Sequence, residues 1–584
     1  MGDTEMSTRQ AQRVWGINRS LDWFSIINYI IILVLLIIFI LGPVFFVFIG
    51  AFRSEGGYSL ENFFSYWAIP SMRKGLWNAL KAGISTTILS SLIGVPIAYI
   101  MSRYRFPYYR IFKTFLTLPL IMPPFIGAFS MIIMLGRNGL LTNFFRDLFN
   151  LKIIEGFVRP NLISIVFVQT THLWPIIYLN TSSSLSKIDP LLEESAKNLG
   201  ASGLKLFSRI TFPLSFPGYI AGAFLTFVWS VSDIGSPIML SFGNYAPSQA
   251  FWELVRVEGI VEHASVICVL LTVISIGSLM IVNRFIGLKE YASVRMSSTS
   301  TIIKKPNKAE AIIIGVFFLS IISISTIPHI GTFLVAFTEL PKYRGWLLQG
   351  FNLEGWIKIF NRTETRHLVI NSLIYSSLAS LIDIVLGALI GYILVRKQFI
   401  GKILLDTISI MPLAVPGVVI ALGYLFLFST RLPGTTFRLS SFWFILVISY
   451  SMRRLPYSVR SSHAILQQIH VSLEEAAENL GATKFWTLIK ITLPLMIPGL
   501  IAGGIMSFIT AFTEVSTSLM VQPLIGPLGV HARPITLGIY SEIQRGAGGY
   551  APAGALGVIQ IIAAAICFYI ANRVLGKENE ISVG

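Results

Sequence analysis

Apolar positions along the chain gather in long runs separated by polar stretches, and each run has the length of a membrane span. A helix that crosses the hydrocarbon layer needs about 20 largely apolar residues. Twelve such runs lie near 24–50, 76–102, 111–135, 161–183, 216–241, 263–286, 310–337, 368–395, 402–429, 441–463, 497–521 and 552–573. The pattern predicts an all-α polytopic membrane protein with about twelve transmembrane helices.

Composition supports this fold class. Of the 584 residues, 54% are hydrophobic and 12% charged, whereas a soluble domain has about 25% charged residues. The net charge of +17 is interpreted as loop charge, because Lys and Arg cluster beside the apolar runs; membrane lipid is therefore an expected partner and nucleic acid is not. Two distant cysteines favour neither a disulfide framework nor a zinc site. The first run is interpreted as a retained span, since no A-x-A-like cleavage site follows it.

The two halves of the chain repeat each other. Asn78, Gly94, Arg103, Pro119 and Pro123 recur 293 residues later as Asn371, Gly387, Arg396, Pro412 and Pro416. Pro175, Glu193, Gly200 and Pro213 recur 281 residues later as Pro456, Glu474, Gly481 and Pro494. Six spans in each half make these parallel repeats, with a pathway expected between them. We predict a first six-span repeat at 1–288, a basic linker at 289–309 and a second six-span repeat at 310–584.

The distribution of basic residues predicts the orientation. With the N-terminus inside, more Lys and Arg fall on the inner side of the membrane, as cytoplasmic loops require. The short loops after the second and eighth spans are basic; they contain Arg103, Arg105, Arg396 and Lys397. We therefore expect both termini to be cytoplasmic.

Two polar loops are helical in pattern although they cannot span. They run from Asp189 to Gly218 and from His470 to Gly499. Asp189 followed by Pro190 predicts a capped helix start, and Ser472 with Glu475 has capping-box spacing.

Each loop helix is expected to carry an apolar stripe and to end at a glycine. The stripes comprise Leu192, Ala196 and Leu199, then Leu473, Ala477 and Leu480. Gly200 and Gly481 lie where a left-handed residue would end a helix. Such a helix fits a groove in another protein or rests on lipid headgroups. Two copies with the same spacing favour the protein groove.

These loops resemble the signature of the membrane-spanning permease subunits of bacterial ABC importers: Glu-Ala-Ala, three residues, Gly, nine residues, Ile-x-Leu-Pro. The second loop matches at every specified position, with Glu475, Ala476, Ala477, Gly481 and Ile491–Pro494. The first loop matches through Glu194, Ala196, Gly200, Ile210 and Pro213, with two departures, Ser195 for Ala and Phe212 for Leu.

The resemblance implies that both loops are coupling helices that dock into ATP-hydrolysing subunits. The implied coupling residues are Glu193, Glu194, Ser195, Ala196, Gly200, Glu474, Glu475, Ala476, Ala477 and Gly481. The chain has no G-x-x-x-x-G-K-[ST] phosphate loop, so ATP is expected to be used by a partner, and this chain is expected to be no enzyme and to bind no cofactor. The implied partners are two copies of a cytoplasmic ATP-binding subunit and an extracytoplasmic substrate-binding protein, at the bacterial cytoplasmic (inner) membrane.

Two acids lie inside matching spans, Asp233 and Glu514, and two arginines, Arg453 and Arg454, lie inside the tenth span. Ionisable groups in a membrane are costly and face a cavity or a partner. One interpretation is that the carboxylates face each other across the pathway and attract a hard cation such as Fe³⁺. The other is that an acid pairs with an arginine and holds the bundle together.

Among fused permeases with two signature loops, the chain resembles the ferric-iron group most, which implies ferric iron delivered by a binding protein. Thiamine, phosphonate or another small solute are alternative substrates, and the arginines would suit an anion. Two other classes are less favoured: an ion-gradient-driven secondary transporter, because the repeats are parallel, and a membrane-embedded enzyme, because paired catalytic residues are missing. The seven histidines are scattered, and no metal site is assigned.

Overall fold

Long apolar runs of the sequence become long helices in the computed structural model. The structure describes residues 23–54, 56–150, 157–240, 243–255, 260–287, 304–338, 350–399, 401–429, 438–439, 442–521 and 532–581. Within these ranges the backbone is almost entirely helical, and one short hairpin, β1 (Arg53–Ser54) with β2 (Gly57–Tyr58), follows the first span. The predicted fold class is therefore confirmed as an all-α polytopic membrane protein.

We name helices α1–α14 the N-terminal half. They are α1 (Trp23–Leu36), α2 (Gly42–Phe52), α3 (Glu61–Ala68), α4 (Pro70–Arg103), α5 (Tyr109–Thr117), α6 (Pro124–Leu135), α7 (Leu140–Phe149), α8 (Leu162–Leu185), α9 (Pro190–Asn198), α10 (Gly203–Leu206), α11 (Phe212–Ser232), α12 (Gly235–Leu240), α13 (Ala246–Val255) and α14 (Val261–Gly287). A π-helical turn, Ile37–Leu41, joins α1 to α2, and another, Phe207–Thr211, leads into α11.

We name helices α15–α26 the C-terminal half. They are α15 (Lys308–Phe337), α16 (Glu354–Asn361), α17 (Thr363–Arg396), α18 (Lys402–Ala414), α19 (Gly417–Ser429), α20 (Phe444–Gln468), α21 (Ser472–Asn479), α22 (Lys484–Thr487), α23 (Leu493–Phe512), α24 (Ser516–Val521), α25 (Ile535–Gln544) and α26 (Ala547–Ile581). The π-helical turn Leu488–Thr492 leads into α23 as its counterpart leads into α11.

Three helices form the centre of each half: α4, α8 and α11 in one, and α17, α20 and α23 in the other. Small residues let these helices approach closely, as they do in membrane bundles. A Cβ on Gly94 would lie 2.9 Å from the carbonyl oxygen of Trp174, and a Cβ on Gly387 would lie 2.7 Å from the Cβ of Ser458. The repeated glycines thus have a packing reason at equivalent places.

The first span of each half packs against the other half. Helix α2 lies on α19, and the Tyr424 hydroxyl of α19 donates at 2.8 Å to the carbonyl of Phe39, in the π-helical turn before α2. Helix α15 lies on α6, where the hydroxyls of Ser130 and Thr332 are 2.6 Å apart. Each leading helix therefore contacts both halves, because α2 also packs on α14 and α15 on α26; the sequence pattern did not indicate the contacts with the opposite half.

The number of spans differs from the prediction of about twelve. Among the described residues, ten helices are long and apolar enough to cross a membrane, and the pair α18 and α19, bent by 108°, makes an eleventh. The remaining predicted span, 441–463, is the 25-residue helix α20. It occupies the place of α8 in the repeat but is too polar to qualify by composition, because it contains three arginines.

Three of the four repeated prolines of the third and ninth spans, Pro119, Pro123 and Pro416, lie at helix breaks, whereas Pro412 lies inside α18. In the N-terminal half, Leu118–Ile121 forms a 3₁₀ turn between α5 and α6, and in the C-terminal half Pro416 lies between α18 and α19. A proline removes a helical hydrogen bond and clashes with the preceding turn. Of the predicted linker, residues 289–303 lie outside the described residues. Lys304 pairs as an isolated bridge with Tyr104, and Asn307 caps α15 with Glu310 in a capping box.

Candidate functional site

The first polar loop forms a capped helix that ends in a left-handed glycine. The Asp189 carboxylate accepts from the backbone N–H of Leu191 at 2.9 Å, as its sequence position predicts. Gly200 has φ +86°, its N–H donates to the carbonyl of Lys197, and the N–H of Ala201 donates to the carbonyl of Ala196, both at 2.9 Å. This pair of bonds is a Schellman motif, which requires a residue with positive φ.

The second loop ends in the same way but starts differently. Gly481 has φ +90°, its N–H donates to the carbonyl of Glu478 at 2.9 Å, and the N–H of Ala482 donates to the carbonyl of Ala477 at 3.0 Å. The predicted capping box of Ser472 with Glu475 does not form. Helix α21 starts after Val471 without a side-chain cap, and the Ser472 hydroxyl instead lies 2.8 Å from Nδ1 of His470.

The loop residues singled out from the sequence divide into two groups by exposure. Glu193, Ala196 and Glu474 are buried and Ala477 is half-buried, whereas Glu194, Ser195, Gly200, Glu475, Ala476 and Gly481 are exposed. Neighbouring glutamates therefore face opposite ways in both loops.

The predicted apolar stripes are split between the protein interior and the surface. Ala196 faces inward, but Leu192 is half exposed and Leu199 is 89% exposed. Leu480, the counterpart of Leu199, is 90% exposed. Each loop thus presents a bare leucine immediately before its glycine. Burial of a leucine side chain in an apolar socket lowers the free energy relative to exposure in water. Both loop tips therefore have the character of a contact surface for a partner.

The buried glutamates of the loops form ion pairs with arginines at the ends of long helices. Glu193 Oε1 lies 2.8 Å from a terminal guanidinium nitrogen of Arg103, and Glu474 Oε1 lies 3.0 Å from Nε of Arg396. Both arginines recur in the repeat and lie beside basic loops, but neither was predicted to pair with a glutamate. The signal that could have found these pairs was their recurrence in both halves.

Asp233 lies just after α11, at the break before α12. Its Oδ1 accepts from the N–H of Gly235 at 2.8 Å and its Oδ2 accepts from the Gln169 side chain at 3.1 Å. Gln169 is held in turn by the Ser230 hydroxyl, which donates to its Oε1 at 2.5 Å. Among the described residues, the neighbours of this half-buried carboxylate are thus neutral donors, and no ion pair with an arginine is formed.

Glu514 occupies the equivalent place in the C-terminal half, shortly after α23, and is 3% exposed. One of its oxygens pairs with Arg453 and the other with Arg454. The same carboxylate accepts from the N–H of Thr517 at 3.3 Å. The arrangement with an acid paired to an arginine is therefore present in the C-terminal half, where one carboxylate faces two guanidinium groups.

A third intramembrane acid, Asp383, was missed by the sequence analysis. It lies in the middle of α17, is 0% exposed, and accepts from the Ser451 hydroxyl at 2.6 Å and from the Ser507 hydroxyl. Its counterpart in the N-terminal half is Ser90, also 0% exposed. The available signal was a lone acid inside the apolar run LIDIVLG.

Metal ligands are not clustered in the part of the chain that the structure describes. No group of three or more His, Cys, Asp or Glu side chains lies close enough there to hold a metal ion. The arrangement instead combines two solvent-facing loop helices with a set of charged and hydroxyl groups inside the bundle. These features suit mechanical coupling and solute passage rather than covalent chemistry.

Comparison with known proteins reveals one protein family. The sequence profile of the binding-protein-dependent transport system inner membrane component matches twice, at residues 92–289 and 383–579. The chain is 28% identical over 513 residues to a putative ferric transport system permease protein of Haemophilus influenzae, covering 85% of this chain and 77% of that protein. It is 27% identical over 562 residues to a ferric transport system permease protein of Actinobacillus pleuropneumoniae, covering 94% and 78%.

A shorter relative and a solved structure are also similar. The molybdenum transport system permease protein of Escherichia coli K12 is 33% identical over 213 residues, which cover 35% of this chain and 90% of that protein. The crystal structure of a bacterial alginate ABC transporter, in complex with a periplasmic protein bound to an alginate pentasaccharide, contains a chain that is 20% identical, with a TM-score of 0.35, covering 46% of this chain and 94% of that one.

Proposed function

Because the chain belongs to the family of binding-protein-dependent transport system inner membrane components and is an ABC importer permease, we propose that its substrate is ferric iron. The permease is a transport subunit and not an enzyme, and ATP is used by a separate ATPase partner. A substrate-binding protein is the second partner. In our proposal two copies of the ATPase bind, one to each polar loop, and the binding protein delivers iron from the extracytoplasmic side.

The single observation that carries ATP coupling is the shared geometry of the two loops. Each has a short helix, a Schellman end at a positive-φ glycine and an almost fully exposed leucine before that glycine. Two matching contact surfaces on one chain fit two copies of one partner. When ATP draws the ATPase copies together, the loops follow as rigid bodies, and the halves alternate between outward and inward openings.

The proposed orientation places both loops and both termini in the cytoplasm of a bacterial cell, with the spans in its inner membrane. It rests on the basic residues near the loops, such as Lys197, Lys205 and Arg209 in the first and Lys484 and Lys490 in the second. A reporter fused after Gly584 tests this orientation. A fusion that is active only outside the membrane would refute it.

Ferric iron is supported by similarity to two ferric transport permeases that covers most of this chain. The charge arrangement supports a specific route. Glu514 is matched by two arginines, whereas Asp233 has only neutral donors. Hard cations such as Fe³⁺ prefer carboxylate oxygen, so Asp233 is the carboxylate that is free to attract one. The N-terminal half thus carries the proposed cation site of the pathway.

Reconstitution of the complete complex tests the proposed function. The permease, its ATPase and its binding protein are placed in proteoliposomes with ATP inside, and uptake of radioactive iron from the iron-loaded binding protein is measured. We expect uptake that needs both ATP and the binding protein. Uptake driven by an ion gradient without ATP would refute the coupling, and ATP-driven uptake of another solute alone would refute iron.

An anionic solute is the second candidate. Arg453 and Arg454 bring two positive charges against the single negative charge of Glu514, and the molybdenum transport permease is similar over 213 residues, or 35% of this chain. Molybdate and a phosphonate, each offered with a binding protein that holds it, serve as competing substrates in the same vesicles. If molybdate or the phosphonate is transported at the rate expected for iron, the substrate is an anion and these arginines determine the specificity.

A further inference from the structure

We infer that Arg103, Glu193 and Thr211, and likewise Arg396, Glu474 and Thr492, are positioning residues that fasten each coupling helix to two membrane helices. This inference rests on the proposed function of the loops as ATPase contacts. It assigns the two glutamates to the permease interior and leaves their neighbours, Glu194 and Glu475, for the partner. We call each group of three an anchor triad.

In the first triad, three separate elements meet at one carboxylate. Arg103 is the last residue of α4, Glu193 lies in the first turn of α9, and Thr211 ends the π-helical turn before α11. Glu193 Oε1 accepts from Arg103 and from the Thr211 hydroxyl, each at 2.8 Å. The side chains of Arg103 and Glu193 are only 8% and 6% exposed, so water screens the pair little.

The second triad reproduces the first. Glu474 accepts from Nε of Arg396 at 3.0 Å and from the Thr492 hydroxyl at 3.1 Å, while Arg396 also donates to the carbonyl of Ile469 at 2.9 Å. The extra bond ties the arginine to the start of the loop itself. The carboxylate, the guanidinium and the hydroxyl therefore have the same relation in both halves.

The recurrence is informative because the chain between the members changes length. The arginines are 293 residues apart, whereas the glutamates and the threonines are 281 residues apart. The second half is thus twelve residues shorter between its arginine and its glutamate, yet the same contact forms. A bond that depended only on local chain geometry would not survive that change, so the contact itself is the shared feature.

The triads give the loops a defined mechanical connection. A helix resting on a bundle by apolar contact can slide, whereas a charge-assisted bond has a fixed direction and length. Glu193 and Glu474 sit in the first turn of their helices, so each loop is held at one end by the long helices while its leucine tip stays free. A push at the tip is transmitted to the end of α4 and the start of α11, or to α17 and α23.

The test compares glutamates that face inward with those that face outward. Glu193→Gln/Glu474→Gln keeps shape but removes the charge inside the triads, and Glu194→Gln/Glu475→Gln is the matched control on the exposed face. In the reconstituted complex we measure ATPase activity, iron uptake and copurification of the ATPase. We expect the inward variant to retain the ATPase and its hydrolysis while iron imported per ATP falls at least tenfold.

The control variant is expected to keep the ratio of iron to ATP and to lose copurified ATPase instead. An unchanged ratio in the inward variant, or equal loss of ATPase binding in both variants, would overturn the inference. The reversed pair, Arg396→Glu/Glu474→Arg, is expected to recover part of the ratio lost in Arg396→Glu alone, which a purely steric role would not predict.

Threonine variants carry the test if the glutamate variants fail to insert. Thr211→Val/Thr492→Val removes the hydroxyl at nearly constant volume, and Thr211→Ser/Thr492→Ser restores it. We expect the ratio of iron to ATP to fall with valine and to recover with serine. Hydrogen exchange of α9 and α21 in the same samples tests the anchor triads separately from the proposed iron transport. Faster exchange with valine supports the anchors even if the wild type imports no iron with ATP, and equal exchange refutes them.

Discussion

Asp233 and Glu514 hold equivalent places in the repeat but have different surroundings. Asp233 is half-buried among neutral donors, and Glu514 is buried between two arginines. The anchor triads, in contrast, join the same three residue types in both halves, although Arg103 donates through a terminal nitrogen and Arg396 through Nε. Duplication has therefore kept the parts that, in our proposal, fasten the partner-binding loops, and it has changed the charged groups inside the bundle.

The buried acid Asp383 extends this difference. In the C-terminal half, the carboxylates of Asp383 and Glu514 together balance the guanidinium groups of Arg453 and Arg454 in formal charge. At the places of Asp383 and Arg454, the N-terminal half has Ser90 and Leu173. In the C-terminal half, the two acids are thus balanced by two arginines. In the N-terminal half, Asp233 has no cationic partner among the described residues.

The largest effect is expected at the loop glycines, where the halves agree. Gly481→Asp places a side chain at φ +90°, which costs about 1–2 kcal/mol, and adds a negative charge beside the exposed leucine. We expect iron uptake to be abolished while the protein remains in the membrane. Gly200→Asp is the matched variant and is expected to act alike. Full uptake in either variant, measured in vesicles, would break the equivalence of the loops.

The next effect is expected at Glu514. Glu514→Gln leaves two half-buried guanidinium groups without their buried carboxylate, and breaking a buried pair costs up to about 3–5 kcal/mol. We expect a lower midpoint of thermal unfolding in detergent and less protein in the membrane. Glu514→Gln combined with Arg454→Met should regain part of the lost stability. If Glu514→Gln is as stable as the wild type, the arginines are not held by this acid.

A smaller and different effect is expected at Asp233. Asp233→Asn keeps the hydrogen-bonding shape and removes the charge, so the unfolding midpoint should stay near that of the wild type. Iron uptake should fall about tenfold, which corresponds to a loss of about 1.4 kcal/mol in cation interaction. Uptake at the wild-type rate contradicts a carboxylate pathway. Lower stability without a change in the uptake rate per folded molecule would make Asp233 a structural residue like Glu514.

The smallest effect is expected at Asp383. Asp383→Ser reproduces Ser90 of the N-terminal half and retains a group that can bond Ser451 or Ser507. The net value of such hydrogen bonds is about 1 kcal/mol, so we expect a modest shift of the unfolding midpoint and iron uptake close to normal. A loss as severe as that of Glu514→Gln would show that the charge of Asp383 belongs to the arginine network.

The sequence predicted features that depend on local pattern. Apolar run length predicted the helices, the repeated glycines Gly200 and Gly481 predicted two helix ends, and Asp189 predicted a cap. Each of these follows from residues within one or two turns of each other. The capping box at Ser472 was wrong because His470, a residue just before the helix, engages the serine hydroxyl instead.

Features that depend on distant contacts could not be predicted in the same way. Pattern alone left open whether Asp233 or Glu514 pairs with the arginines, because both acids match in the repeat while His172 and Leu173 replace the two arginines. The contact of each leading helix with the opposite half could not be predicted from sequence, because a span that packs on either half is equally apolar. Helix α20 was predicted as a span from its apolar run at 441–463, although its arginines make it too polar by composition alone.

The contacts of the leading helices with the opposite half also bear on how the two halves of the permease stay associated. The first span of each half contacts the other half. One contact includes the hydrogen bond between Tyr424 and Phe39, and the other includes the one between Ser130 and Thr332. We expect that a chain cut between α14 and α15 would leave two fragments that stay associated through these contacts. The covalent link between the halves then ensures that both are synthesised in equal amounts, while the helix contacts keep them together in the membrane.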